Sequence, residues 1–167
     1  MHRLNLVVLC VALTGCHSEA GMPAGYNDAC YGGNFSKTLA EANPIYSAEL
    51  DIPDSSWPEL GSALSEIAAK YSVKKFDDIR NTKTLKMFSV SLCSADGLFS
   101  MADKRTWSFP GEAPAGTPSI NITVFAYKKD DRWFRLSKDL DATLRKHWPN
   151  KLRTTSTADT RLLNSAL

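Results

Sequence analysis

The chain has 167 residues, with 20 Lys or Arg against 18 Asp or Glu and 43% apolar residues. A formal net charge of +2 gives no bulk reason to expect a nucleic acid partner. This length suits one domain, which buries about 68–70% of its unfolded surface, so neither a metal nor a cofactor is required for folding.

The chain starts Met1-His2-Arg3 and continues as an apolar run from Leu6 to Leu13, followed by Thr14-Gly15-Cys16. A positive start and a short apolar segment form the layout of a secretory signal peptide. The run is far short of the roughly 20 residues a spanning helix needs. Leu13-Thr14-Gly15-Cys16 resembles the lipobox of bacterial envelope lipoproteins, a resemblance that covers residues 1–16. It implies that residues 1–15 are removed and that Cys16 becomes the acylated first residue of the mature chain. Acyl chains of the palmitate kind would then replace the missing helix as a membrane anchor, two chains holding where one is marginal. Residue 17 is His rather than Asp, and for such lipoproteins this implies the outer membrane, facing the periplasm, with the inner membrane as the alternative. The residues alone leave open ordinary cleavage nearby, with Cys16 kept as a thiol.

Under that processing Cys10 leaves with the signal and Cys16 carries lipid, so Cys30 and Cys93 remain. In an oxidising envelope a disulfide between them is expected, a pair of buried free thiols being the alternative. Residues 16–29 are small and polar and read as a lipidated tether. Residues 30–153 form the folded domain, and the weakly patterned 154–167 read as a flexible tail.

Within the domain, Tyr46, Ala48, Leu50 and Ile52 alternate with polar residues and predict a strand. Ser56-Trp57-Pro58-Glu59 has the form of a capping box. Trp57, Leu60, Leu64, Ile67 and Tyr71 follow at helical spacing, the narrow apolar stripe of a helix lying on a sheet. "KKFDDIRNTK" reads as a connection, its Asp77-Asp78 suiting a turn. Phe88, Val90 and Leu92 alternate with Ser89, Ser91 and Cys93, and Asp96-Gly97 signals a hairpin into a strand from Leu98. "INITVFAY" predicts a fourth strand. A second helix begins near Asp130 or Asp131 and stops before Pro149, with Arg145, Lys146 and His147 in its last turn. The second helix repeats the first's pattern, Trp133-x-x-Leu136-x-x-x-Leu140 echoing Trp57-x-x-Leu60-x-x-x-Leu64, as two helices packed on one sheet would. The expected fold is a two-layer α+β domain in the order β-α-β-β-β-α. Its antiparallel sheet has about four strands and carries two amphipathic helices on one face.

The search for chemistry is mostly negative. After processing, His17 belongs to the tether and His147 lies on the apolar arc of the second helix, where a last-turn histidine at a helix end is the simpler reading than a base. There is no G-x-S-x-G, no phosphate-binding glycine motif and no Cys/His metal set. The doublets Asp77-Asp78 and Asp130-Asp131 point their carboxylates apart. No catalytic residue, metal or cofactor is assigned, and the chain reads as a non-enzyme.

Charge placement is the one functional lean. Residues 41–69 hold six acids and no Lys or Arg, whereas residues 128–153 hold nine Lys or Arg and four acids. Either the two helices offset one another as solvated neighbours, or Arg132, Arg135, Lys138, Arg145 and Lys146 form a basic face for an acidic envelope partner, protein or anionic lipid. The expected function is an anchored envelope lipoprotein whose domain binds a protein, an immunity or inhibitor protein being one form. The alternatives are a carrier or sensor of a small apolar ligand, with Trp57, Trp107, Trp133 and Trp148 lining its cavity, and a cell-wall hydrolase using dispersed carboxylates.

Overall fold

A computed structural model of the chain describes residues 24–34, 43–94, 98–126 and 131–157. In chain order these form α1 (Tyr26–Tyr31), β1 (Asn43–Leu50), a 3-10 turn (Asp54–Ser56), α2 (Trp57–Tyr71), β2 (Lys74–Asn81), β3 (Leu85–Ser94), β4 (Leu98–Trp107), β5 (Ala115–Gly116), β6 (Ile120–Ala126), α3 (Asp131–His147) and β7 (Leu152–Thr157). The α+β class is as expected, but the described chain has seven strands and three helices rather than four and two. The sheet runs β2-β3-β4-β6-β1-β7, with the two-residue β5 added to β4, and every pairing is antiparallel. It follows that β1 and β2 run parallel to each other, as do β6 and β7. Each of these pairs needs a crossover, which α2 and α3 supply over the same sheet face.

The periodicity of α2 and α3 decides what they cover. Trp57, Leu60, Leu64 and Ile67 from α2 join Trp133, Leu136, Leu140 and Leu144 from α3 over Ala48, Leu50, Phe88, Val90, Leu92, Ile120, Ile122 and Val124 from the strands. Each large apolar side chain buried in this way contributes about 1.5–3 kcal/mol relative to exposure. The two Trp-Leu-Leu triplets therefore sit in one core. The Ser56 capping box does not form. Ser56 has helical backbone (φ −89°, ψ −1°) and caps nothing with its side chain, because the 3-10 turn feeds directly into α2. That turn is anchored instead by Asp54, which accepts from Lys86 of β3 (2.9 Å) and Lys104 of β4 (3.2 Å).

Four elements, α1, β2, β5 and β7, are not legible as such. "KKFDDIRN" is the edge strand β2, where Asp77 pairs with Lys75 and Asp78 with Arg80, each two residues apart and so on the same face. A charged edge of this kind discourages pairing with other chains. Residues 152–157 form the opposite edge, β7, so the expected tail begins as a strand on β1. Residues 26–31, the first four of which are assigned to the tether, form α1, which closes at Gly32 (φ 56°). At β5, Gly116 (φ 131°) lies so close to β4 that a Cβ would meet the Arg105 carbonyl oxygen at 2.1 Å.

The short helix α1 sits on the sheet face away from α2 and α3. Cys30 is joined to Cys93 by a disulfide with Cα atoms 4.8 Å apart, and Tyr26, Tyr31, Phe76, Met101 and Phe125 pack around it. This explains why β3 is buried on both faces near its end: Cys93 is fully buried and Ser91 accepts a hydrogen bond from the Tyr26 hydroxyl at 3.1 Å.

Candidate functional site

Helix α3 presents the expected basic residues to solvent, opposite its Trp133, Leu136, Leu140 and Leu144 stripe. They divide into two groups. Arg132 is half-buried and donates to the Tyr71 carbonyl oxygen at the end of α2. Arg145 grips Asp141 through Nε (2.7 Å) and a terminal nitrogen (3.2 Å), and also donates to Thr154 of β7 at 2.7 Å. The Tyr46 hydroxyl donates to the same carboxylate at 3.0 Å, so Asp141 clamps α3 to β1 and β7. Burial, then Asp141, raises the Tyr46 hydroxyl well above its ordinary value. Partial burial pushes the Asp141 carboxyl up, but the bonds from Arg145 and Tyr46 outweigh it and hold it below the usual range.

The second group is Arg135, Lys138 and Lys146. All three are exposed, and none has an ion pair among the described residues. With the exposed Ala142 they follow one another at spacings of three and four, which places them on one helix face. Some of the carboxylates nearby are engaged elsewhere, whereas Asp131, one turn before Arg135, and Glu66, across the groove from Lys146, add negative charge beside the row. Asp139 takes Lys70 at 2.7 Å and the Tyr71 hydroxyl, and these bonds hold its carboxyl below the usual range. Burial and Asp139 together push the Tyr71 hydroxyl up to about 12. Glu59 of α2 takes His147 at 3.0 Å.

The helices therefore offset one another only in part. One cross-pair joins an α2 acid to an α3 histidine, and the other, Lys70 to Asp139, runs in the opposite sense. Beside the row of cations lies an open groove of about 260 Å3 between α2 and α3, lined by Glu66, Ile67, Lys70, Asp139, Ala142, Thr143 and Lys146.

Other expectations resolve plainly. His147 sits in the last turn of α3 with its ring 5.3 Å from that of Trp148, exposed on its outer side, where Nδ1 lies 3.0 Å from a Glu59 carboxylate oxygen. Trp57, Trp133 and Trp148 are packed into the core while Trp107 is 40% exposed, so the four do not surround one space. Cys16, His17 and Asp130 lie outside the described residues, as does the Asp96-Gly97 turn, although the β3–β4 pairing around it runs up to Ser94 opposite Leu98. Among the described residues no group of His, Cys, Asp and Glu is arranged to hold a metal, and no helix is long and apolar enough to cross a membrane. Comparison of the chain with protein-family models, curated proteins and solved structures finds no match.

Proposed function

We propose that the chain is a lipid-anchored protein of the bacterial envelope, held by acyl chains on Cys16 and facing the periplasm from the outer membrane, whose domain docks an acidic protein through α3. The observation that carries the docking reading is the row Arg135, Lys138 and Lys146, which has no ion pair among the described residues while Asp139 and Asp141 between them are paired with Lys70 and Arg145. Unpaired like charges on a helix repel one another and are relieved by a complementary surface, which also speeds encounter. Ala142, in the middle of the row, lets a partner approach the helix backbone closely. The particular form proposed is an immunity or inhibitor protein that covers an acidic rim on an envelope enzyme. Support comes from the rigid, disulfide-closed frame under the helix, which presents the cations without a large ordering cost.

The test is crosslinking in intact envelopes followed by purification of the domain at low and high salt. A stoichiometric protein should be recovered with the native chain, and should be lost at high salt and with the triple variant Arg135→Glu, Lys138→Glu, Lys146→Glu. Recovery of the native domain alone, or of a partner that the triple variant keeps, overturns the docking reading. Binding of the domain to anionic vesicles instead of a protein would move the site to a lipid surface. The anchor is tested separately by fatty-acid labelling, which should mark the native chain and not Cys16→Ser.

A further inference from the structure

We infer that β2 is a dimerisation edge, at which a second copy of this chain adds its own β2 antiparallel with the two-fold axis on Ile79. Among the described residues the outer side of β2 pairs with no strand, and Ile79 is 47% exposed there. The opposite edge is less suited, because a bulge at Ser47 and Ala48 breaks the pairing of β7 with β1. In β2 the register against β3 is unbroken from Lys74 to Asn81.

The backbone limits how a copy can join. At the turn the Thr82 N–H donates to the Leu85 carbonyl oxygen at 2.9 Å. Alternation along the ladder then turns the N–H and C=O groups of Asn81, Ile79, Asp77 and Lys75 away from β3, toward the free side. Only these residues can exchange hydrogen bonds with a copy, so a symmetric axis falls on a residue rather than between two.

The side chains decide which residue. With the axis on Lys75, Asp77, Asp78 or Arg80, identical charges meet across it, which is unfavourable. With the axis on Ile79, that side chain meets its own copy, Asp77 meets Asn81 and Asp78 meets Arg80. Asp78 and Arg80 already pair within one strand at 2.9 Å, so two copies close an alternating square of two carboxylates and two guanidiniums. Lys83, which would otherwise oppose Lys75, lies in the turn closed by Thr82 and Leu85. An axis on Asn81 leaves too little strand to pair. An axis on Phe76 avoids like charges, but it gives about four ladder hydrogen bonds against about six and falls where Tyr26 of α1 packs on Phe76, with ring centroids 5.2 Å apart. The charges that keep foreign strands off β2 thus fit one partner, its own copy, in one register. Helix α3 lies over β6 and β1, away from this edge, so the dimer leaves both rows of cations open.

The test is sedimentation equilibrium of the disulfide-intact chain, with Cys10→Ser and Cys16→Ser in every variant. So short a ladder predicts a dimer with a dissociation constant on the order of 10–100 µM. Asp78→Arg alone and Arg80→Asp alone should each weaken it about tenfold or more, and the two together should restore it to within a few-fold, with urea midpoints recording that each variant is folded. Ile79→Cys should form a disulfide-linked dimer on mild oxidation and Asp77→Cys should not, since the two copies of residue 77 lie about 13 Å apart at about 3.3 Å per residue. The triple α3 variant should dimerise as the native chain does, which separates this edge from the docking helix. A monomer at about 1 mM, a dimer that Asp78→Arg leaves intact or the triple α3 variant loses, a double variant no tighter than either single one, or a crosslink at Asp77→Cys in place of Ile79→Cys each overturns the inference.

Discussion

The two faces of the sheet are stabilised by different means. One carries two helices of 15 and 17 residues, whose apolar stripes meet a continuous aliphatic layer. The other carries, among the described residues, one helix of six residues, too short to persist by itself and held by a disulfide and a small aromatic cluster. The first face makes the domain fold. The second is a smaller patch on the same sheet, and beyond α1 its strands carry the ion pairs Asp78–Arg80, Asp103–Arg105 and Glu49–Arg153. The difference shows that burial of one strand on both sides, as at Cys93 and Ser91, need not mean a central position in the core.

Mutations should separate the two faces by size of effect. Trp133→Ala removes a side chain that is 2% exposed, and it should cost about 3–5 kcal/mol in urea unfolding, enough to unfold much of the population of a marginally stable domain. Cys93→Ala should cost about 2–4 kcal/mol, most of it through the unfolded chain that the 63-residue separation no longer restrains. Hydrogen exchange in that variant should rise sharply in α1 while α2 and α3 stay protected. Loss of protection across both helices would show that α1 belongs to the main folding unit after all.

Smaller effects probe the clamp between α3 and the sheet edge. Tyr46→Phe deletes the donor to Asp141 and should cost about 1 kcal/mol, with the strand pairing of β7 loosened in exchange data. The carboxyls of Asp54, Asp139 and Asp141 are all held below their ordinary value in the fold. A lowered folded value means that the stabilisation is complete above the unfolded carboxylate range and is lost as pH falls through the folded values. The urea midpoint should therefore stay level above about pH 4 and fall below it, and Asp141→Asn should flatten that fall. Tyr46 and Tyr71 are raised, so their contribution holds below about pH 10 and is lost as pH rises, with phenolate absorbance lagging that of unfolded tyrosine. The smallest effect belongs to the exposed His147–Glu59 pair, where a double-mutant cycle should give about 0.2–1 kcal/mol.

The legible parts of the fold were those with a local period. Both long helices and the core strands β1, β3 and β6 announce themselves by apolar spacing, and every residue of the paired Trp-Leu-Leu triplets is buried. Edge strands carry no such period. In "KKFDDIRN" the alternation is between ion pairs, which is indistinguishable from a polar connection until β3 lies beside it. "LRTTST" is likewise made a strand by β1. For α1 the only usable signals were Tyr26, Cys30 and Tyr31 in an otherwise small and polar segment, and their burial depends on a cysteine 63 residues away.

The candidate sites follow the same division. Helical spacing alone was enough to bring the basic residues of α3 to one face. Only the tertiary structure decided that Arg132 and Arg145 are committed to Tyr71, Asp141 and Thr154 while Arg135, Lys138 and Lys146 are not. By itself the amino-acid order determined the class of fold and the buried stripes, since these rest on short-range periodicity, while the cysteine pair was expected only through the processing that the lipobox resemblance implies. Strand order, the second sheet face and the list of unpaired charges came only with the packed chain, because a charge is free or spent according to neighbours that sequence distance does not specify.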